Sequence, residues 1–333
     1  MTAPWEEKDD KNLSKVIKKA KRRTIIRNTI ISLGVTLIVL FGGMLGNAHL
    51  TSWLVTRGIY EESIMMRISS PNQYETRHDL ELGLLSGRVE FNTYKVVEGV
   101  PIPWETRKMD FGQSTGFALL RSSNDYIYVS DPVMKSENYE YGREFNSKNG
   151  QREMKFYVPG VNYNGKVLND LPALEQMDPE KLVEMAVSFD KSYTQAEVEN
   201  MLPKDLTQVW YWVDTYDNKE RLEFITNDSS PNKYAIPEIA SRVYGYGIIG
   251  DGEIKVEPEN FLQFLQYGLE QKGKYYSEYE RISNYLKKDK STPDATDVQL
   301  LGVVVTGTAK ELQSLKGQPY VSAAVLGAII DKY

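Results

Sequence analysis

Apolar and polar positions along the chain fall into three regimes. From Lys11 to Ile26, Leu13, Val16, Ile17, Ala20 and Thr24 recur at the spacing of one helical face, with lysines and arginines around the rest. From Asn28 to Thr56 there is no Asp, Glu, Lys or Arg, and the centre, Thr29 to Gly46 (TIISLGVTLIVLFGGMLG), is an apolar run of 18 residues. Beyond it, short strand-like runs alternate with turn-rich sequence, and the last 150 or so residues carry longer apolar runs mixed with helical periodicity.

The central run meets the requirement for crossing a bilayer, about 17–25 residues of apolar helix. Ser32, Thr36 and the glycines are compatible with lipid, because a helix satisfies its own backbone and short hydroxyls bond back to it. Residues 15–27 hold seven cations and no acid, while the 20 residues after Ala48 hold only Arg57 and Arg67 beside Glu61 and Glu62. Positive charge favours the inner side, so residues 1–27 are expected in the cytoplasm, 28–48 in the membrane and the remainder outside. A cleaved signal peptide ending at Gly46 or Ala48 is the competing reading. The long basic lead and an apolar core at the upper limit for a signal favour an uncleaved anchor. Gly42 and Gly46 form a GxxxG pair, a weak pointer to helix–helix contact.

The tail itself reads in two ways. As a collar, Lys18, Lys19, Lys21, Arg22, Arg23 and Arg27 hold anionic membrane lipid. As a docking helix, Leu13, Val16, Ile17 and Ala20, with Trp5, present an apolar stripe to a cytosolic protein.

Residues 49–165 read as mostly β. Strands are expected at 59–69, 86–97 (SGRVEFNTYKVV), Tyr126–Val129 and Lys155–Val158, with Pro101-Ile102-Pro103-Trp104 interrupting any regular element. Residues 166–333 repeat one order twice. Val183–Phe189, then Thr194-Gln-Ala-Glu197 and Val198–Leu202, then Leu206–Asp214 form the first unit. Leu300–Thr306, Thr308-Ala-Lys-Glu311, Leu312–Leu315 and Tyr320–Ile330 form the second. In both, a threonine followed three residues later by glutamate is a capping box at a helix start. Two such β-α-β units, with a helical segment inserted at about Pro258–Lys288, predict a ferredoxin-like sheet and an α+β fold class.

Composition narrows the chemistry. The chain is acidic overall at −6, yet residues 1–27 carry nine basic and four acidic side chains, so the acid lies beyond the anchor. That distribution argues against nucleic acid as a ligand. No cysteine is present, which removes disulfides, thiol catalysis and cysteine-held metals. His49 and His78 lie far apart without triad or metal spacing. Gly245-Tyr-Gly247-Ile-Ile-Gly250 matches GxGxxG, but Asp251-Gly252 and Pro258 follow where a phosphate-binding helix should begin, so it reads as a turn. Glu61/Glu62 and Asp178/Glu180 read as solvated charges. No catalytic residue, cofactor or metal site is expected, and the chain does not read as an enzyme.

Several stretches resemble the membrane-anchored anti-sigma factors of Gram-positive bacteria that regulate extracytoplasmic-function sigma factors. They are KKAKRRTIIRNTIISLGV leading into the anchor, VEMAVSFDKSYT at Val183–Thr194, Leu206–Thr215, and the closing run from Gly302 to Tyr333. Ser69-Ser70-Pro71-Asn72 and Tyr94-Lys95 match more loosely. The resemblance implies a sigma factor regulator with an N-terminal and a C-terminal domain, holding a sigma factor inactive at the membrane until envelope stress is sensed outside. Many such factors carry a helical cytoplasmic domain, in some with a zinc motif. Here the inner part has 27 residues without His or Cys, which leaves a single helix, alone or with a second membrane protein, to hold the partner.

Overall fold

The computed structural model describes residues 4–112, 126–128, 143–227, 230–247 and 256–331. One unbroken helix, α1 (Pro4–Ser69), runs 66 residues from the tail into the folded body. At 1.5 Å per residue it spans about 100 Å. Its apolar window is long enough to cross a membrane, and none of that window is buried in the protein. The helix ends just before Pro71, whose ring disfavours helical backbone in the residue preceding it. Ser69 Oγ bonds back to the Met65 carbonyl at 2.8 Å, and Asn72 follows with a left-handed φ of 51°.

Residues 59–69, expected as a strand, are therefore helical. Ile64, Met65 and Ile68 lie on one helical face and are buried in the main core. Over so short a run strand and helix patterns overlap, and tertiary packing decided between them.

After α1 comes an antiparallel meander, β1 (Tyr74–Leu82), β2 (Ser86–Val97) and β3 (Val100–Gly112). β2 matches the expected 86–97 strand. Pro101 and Pro103 do not break β3, because β3 is an edge strand and has a partner on only one side. The meander lies along α1: Met109 reaches Gly58 so closely that a Cβ there would sit 2.8 Å from Met109 Cε.

Three short pairs follow. β4 (Tyr126–Tyr128) pairs with β5 (Glu144–Asn146), β6 (Lys155–Phe156) with β11 (Glu238–Ile239), and β9 (Ile225–Asn227) with β10 (Ser230–Tyr234). The expected strand end at Val129 lies outside the described residues.

The main sheet comprises β7 (Leu182–Tyr193), β8 (Thr207–Val213), β12 (Gly245–Gly247), β13 (Leu300–Thr308) and β14 (Val321–Ile330), in the order β12-β8-β13-β7-β14. All its neighbours are antiparallel. β7-α2-β8, with α2 at Gln195–Met201, and β13-α5-β14, with α5 at Ala309–Leu312, are the two expected β-α-β units. Their four strands interleave as a ferredoxin-like sheet, to which β12 adds an edge. Both capping boxes form, Thr194 with Glu197 and Thr308 with Glu311. Each cap satisfies backbone donors that the first helical turn leaves free, a contribution of about 1 kcal/mol. The inserted helical stretch splits into α3 (Pro258–Gln271) and α4 (Tyr276–Lys287).

Both faces of this sheet are covered. On one, Val183, Met185, Val187 and Phe189 of β7 meet Phe261 and Leu265 of α3, Ile282 of α4, Leu312 of α5 and the end of α1. On the other, Ala186, Trp210, Trp212 and Val304 pack under Met154, Phe156 and Val158. The closing turns of α1 thus belong to the same core as the sheet.

Candidate functional site

With no catalytic constellation among the described residues, the candidate site is the path from tail to folded body. At its N-terminal end Leu13, Val16 and Ile17 are 57–64% exposed, and Ala20 is exposed as well. Lys18, Lys19, Lys21, Arg22, Arg23 and Arg27 are also exposed. The stripe and the cations thus lie on one helix, without partners from the folded body among the described residues. Thr24 turns its hydroxyl back to the Ala20 carbonyl at 3.1 Å. The Trp5 side chain lies outside the described set. In the apolar run, a Cβ at Gly42 or Gly46 would meet nothing within 4 Å, so that face is open to lipid or to another helix.

The first fully buried side chain along α1, among the described residues, is Thr51, 2% exposed. One turn and a half further on, Arg57 Nε donates to Glu61 Oε1 at 2.8 Å, and its guanidinium also reaches the Gln271 carbonyl. Glu61 Oε2 accepts the Lys274 backbone N–H at 3.0 Å, so close to Gly273 that a Cβ there would sit 2.2 Å from the Glu61 carboxyl carbon. Glu62 Oε2 accepts from the Tyr275 hydroxyl at 2.7 Å. Burial, and then the Glu62 charge, hold that phenol well above its ordinary pKa, so it stays a donor. Glu61 and Glu62 are therefore not solvated charges. They clamp the long helix to the turn between α3 and α4. Asp178 and Glu180, by contrast, are exposed.

Where α1 ends, three elements meet on one buried carboxylate. Glu184 of β7 is wholly buried; its Oε2 accepts from Lys95 Nζ of β2 at 2.8 Å and from the Ala328 N–H at 3.1 Å. Its Oε1 accepts from Asn72 Nδ2 at 2.8 Å. Lys95, also wholly buried, stands 4.1 Å from the centre of the Trp104 ring. β14 makes room with Gly327, where a Cβ would lie 2.3 Å from Glu184 Oε2. This hub joins the end of the helix, the meander and the main sheet. Sequence inspection did not single it out as a site, although Asn72, Lys95 and Glu184 lie in three of the stretches that resemble the anti-sigma factors.

Close by, burial pushes Glu153 up from 4.5 to about 7, against the opposing pull of Lys95 and a hydrogen bond from Asn146 Nδ2 at 3.1 Å. A second buried pair, Arg143 with Asp170 at 2.5 Å, ties the chain before β5 to the loop before β7, and Asp170 also accepts the Leu326 N–H of β14.

A cavity of about 470 Å³ opens beside the hub. Ser63, Met66 and Arg67 of α1 and Ser70 just beyond it line it, with Tyr74, Glu75 and His78 of β1, Tyr94 of β2, Trp210, Tyr246, Asn260 and Phe264. His78 is a wall residue here, its ring 6.0 Å from that of Phe91, and among the described residues no group of acids and histidines forms a metal site. His49 stands apart, exposed on α1. Gly245 and Gly247 are not a turn but strand β12, paired with Trp212 and Trp210; Gly250 lies outside the described residues. They are glycines because β8 approaches too closely for a Cβ: one at Gly245 would sit 2.0 Å from the Tyr211 carbonyl oxygen and 2.6 Å from Trp210 Cζ2, and one at Gly247 2.5 Å from the Val209 carbonyl oxygen and 2.7 Å from Trp210 Cδ1.

Two comparisons with protein-family models match. Residues 14–102 match the sigma factor regulator N-terminal model, and residues 174–328 match the sigma factor regulator C-terminal model. Both cover residues of the hub: Asn72 and Lys95 fall in the first and Glu184 in the second. No curated protein and no solved structure gave a match.

Two outcomes follow from the hub. Lys95→Met removes the ammonium partner of the buried Glu184 carboxyl, and should cost about 3–5 kcal/mol in urea unfolding of the folded body. The double variant Lys95→Met/Glu184→Gln should be the more stable of the two; equal loss contradicts a coupled pair. For Glu153, the folded chain holds a proton that the unfolded chain releases between pH 4.5 and about 7. The stability this contributes is complete below the unfolded value and is lost as pH rises through about 7. Glu153→Gln should therefore be more stable than wild type at pH 8, by on the order of 1–3 kcal/mol, with the difference shrinking towards pH 4.5.

Proposed function

The chain belongs to the sigma factor regulator family, and from that premise we propose that it is a single-pass membrane anti-sigma factor. In this reading residues 1–27 face the cytoplasm, 28–48 cross the membrane, and 49–333 form the outer part. The tail holds an extracytoplasmic-function sigma factor inactive, and a change in the outer part on envelope stress releases it.

The observation that carries the reading is the continuity of α1. The exposed stripe of Leu13, Val16 and Ile17 and the core residues Ile64, Met65 and Ile68 lie on one helix without a break. A shift or rotation of the helix imposed outside is then delivered to the tail without a linker to absorb it. The basic side chains serve both the inner leaflet and the acidic surfaces of a partner, while the stripe supplies the apolar contact of a helix-in-groove interface. A second membrane protein completing that interface is compatible with the open Gly42–Gly46 face.

The cavity beside the hub favours a second reading, an anchored ligand-binding protein of the envelope. The two readings combine where a ligand in that cavity bears on the last turns of α1.

The full-length protein with Leu13→Asp and Ile17→Asp tests the proposal. Both positions are exposed, so folding and membrane level should not change. Capture of a sigma factor from detergent-solubilised membranes should fall by tenfold or more, as expected for loss of apolar anchors worth about 2 kcal/mol. Transcription from that sigma factor's promoters should rise. Unchanged capture and unchanged transcription contradict the role assigned to the tail.

A further inference from the structure

The turn between β1 and β2 sits far down the long helix, at the level where the apolar run ends. The Leu85 N–H donates to Asn47 Oδ1 at 2.6 Å, and Asn47 Nδ2 reaches the Gly83 carbonyl at 3.5 Å. Asn47 follows Gly46, the last residue of the apolar run. The hairpin tip, Gly83–Leu85, is therefore held at the boundary of the membrane-crossing segment rather than out in solvent.

Its side chains suit that place. Leu80, Leu82 and Leu84 are 46%, 61% and 79% exposed, and Leu84 is more exposed than the large apolar side chains of the anchor's run, of which Ile38 at 73% is the most exposed. Leu80 and Leu82 lie on one side of β1, since alternate residues of a strand face opposite ways, and Asp79 and Glu81 lie on the other. Scattered exposed leucines are ordinary, but here three cluster near one tip that is hydrogen-bonded to the residue following an apolar helical run. Trp53, 56% exposed on the next turns of α1 with the Arg57 guanidinium 5.6 Å from its ring centre, is of the type that collects at the membrane–water boundary.

We propose that the β1–β2 hairpin tip is a second membrane contact, with Leu82 and Leu84 dipping into the leaflet on the side of the folded body. The occupant is lipid because the Asn47 hydrogen bonds hold the tip at the end of the membrane-crossing run. The flanking acids and the Arg88–Asp110 pair at 2.7 Å keep the insertion at headgroup depth, within the outer 5–10 Å or so typical of interfacial segments. The body is then held to the bilayer at two points, so its tilt is coupled to the leaflet surface. This proposal rests on α1 crossing the bilayer.

The chain has no cysteine, so single spin labels can be placed at will. Leu84→Cys, Leu82→Cys, Val39→Cys in the anchor and Lys310→Cys on the exposed surface are labelled in the full-length protein. Each is reconstituted in vesicles of phosphatidylcholine and phosphatidylglycerol. Collision with oxygen, which concentrates in lipid, is compared with collision with a water-soluble nickel chelate. The proposal expects the labels at 84 and 82 to shift towards the oxygen-rich values at 39 and away from those at 310. A lipid-exposed label at 39 with water-exposed labels at 84 and 82 overturns the hairpin contact alone. A label at 39 in water overturns the crossing itself. Labels at 84 and 82 shielded from both agents place a second copy of the chain there and also overturn it.

Discussion

Ile64, Met65 and Ile68 are the residues on which the architecture depends. They sit at the end of a 66-residue helix whose other end is a free, basic tail, yet they are buried in the main apolar core with the β7 and β13 side chains and with Phe261 and Leu265. Full burial of one such side chain is worth about 1.5–3 kcal/mol. Those three side chains therefore give the helix a fixed place in the body that a tether would not have. The acids at 61 and 62 grip the α3–α4 turn one helical turn earlier, and Met109 seats against Gly58 earlier still.

The polar interior has a different role from the apolar core. A buried ion pair seldom adds net stability over well-packed apolar residues, but it is costly to break by halves. The pairing of Lys95 with Glu184, supplemented by Asn72 and the Ala328 N–H, therefore fixes which surfaces of helix, meander and sheet come together. It also sets the cost of moving them apart. Glu153, raised to about 7 by burial against the opposing pull of Lys95, lies close to that junction.

Much of this was legible in the sequence, and the failures have physical causes. The two β-α-β units were readable because each carries a long apolar strand followed by Thr-x-x-Glu, a local pattern whose hydrogen bonds form within four residues. The 86–97 strand was readable from its alternation. Residues 59–69 were not, because only contact with α3 and the sheet selects helix there. Pro101 and Pro103 looked like breakers because nothing local says that β3 lies at a sheet edge. The glycines at 245 and 247 mimicked a phosphate loop, whereas the cause is the close approach of the β8 backbone and the Trp210 indole, some 35 residues earlier in the chain. The hub joins residues 72, 95, 184 and 328, and no spacing rule reaches across such separations.

If tail and body are joined by one stiff helix, the distance between them across the membrane boundary is fixed. Nitroxides at Lys21→Cys and Tyr60→Cys, both exposed sites on α1, stand 39 residues apart. In the protein reconstituted in lipid, double electron–electron resonance should give one narrow distribution centred at roughly 60 Å, the length of unbroken helix between them. A broad distribution, or one centred well below that length, would mean a hinge between anchor and body and would contradict transmission through a continuous helix.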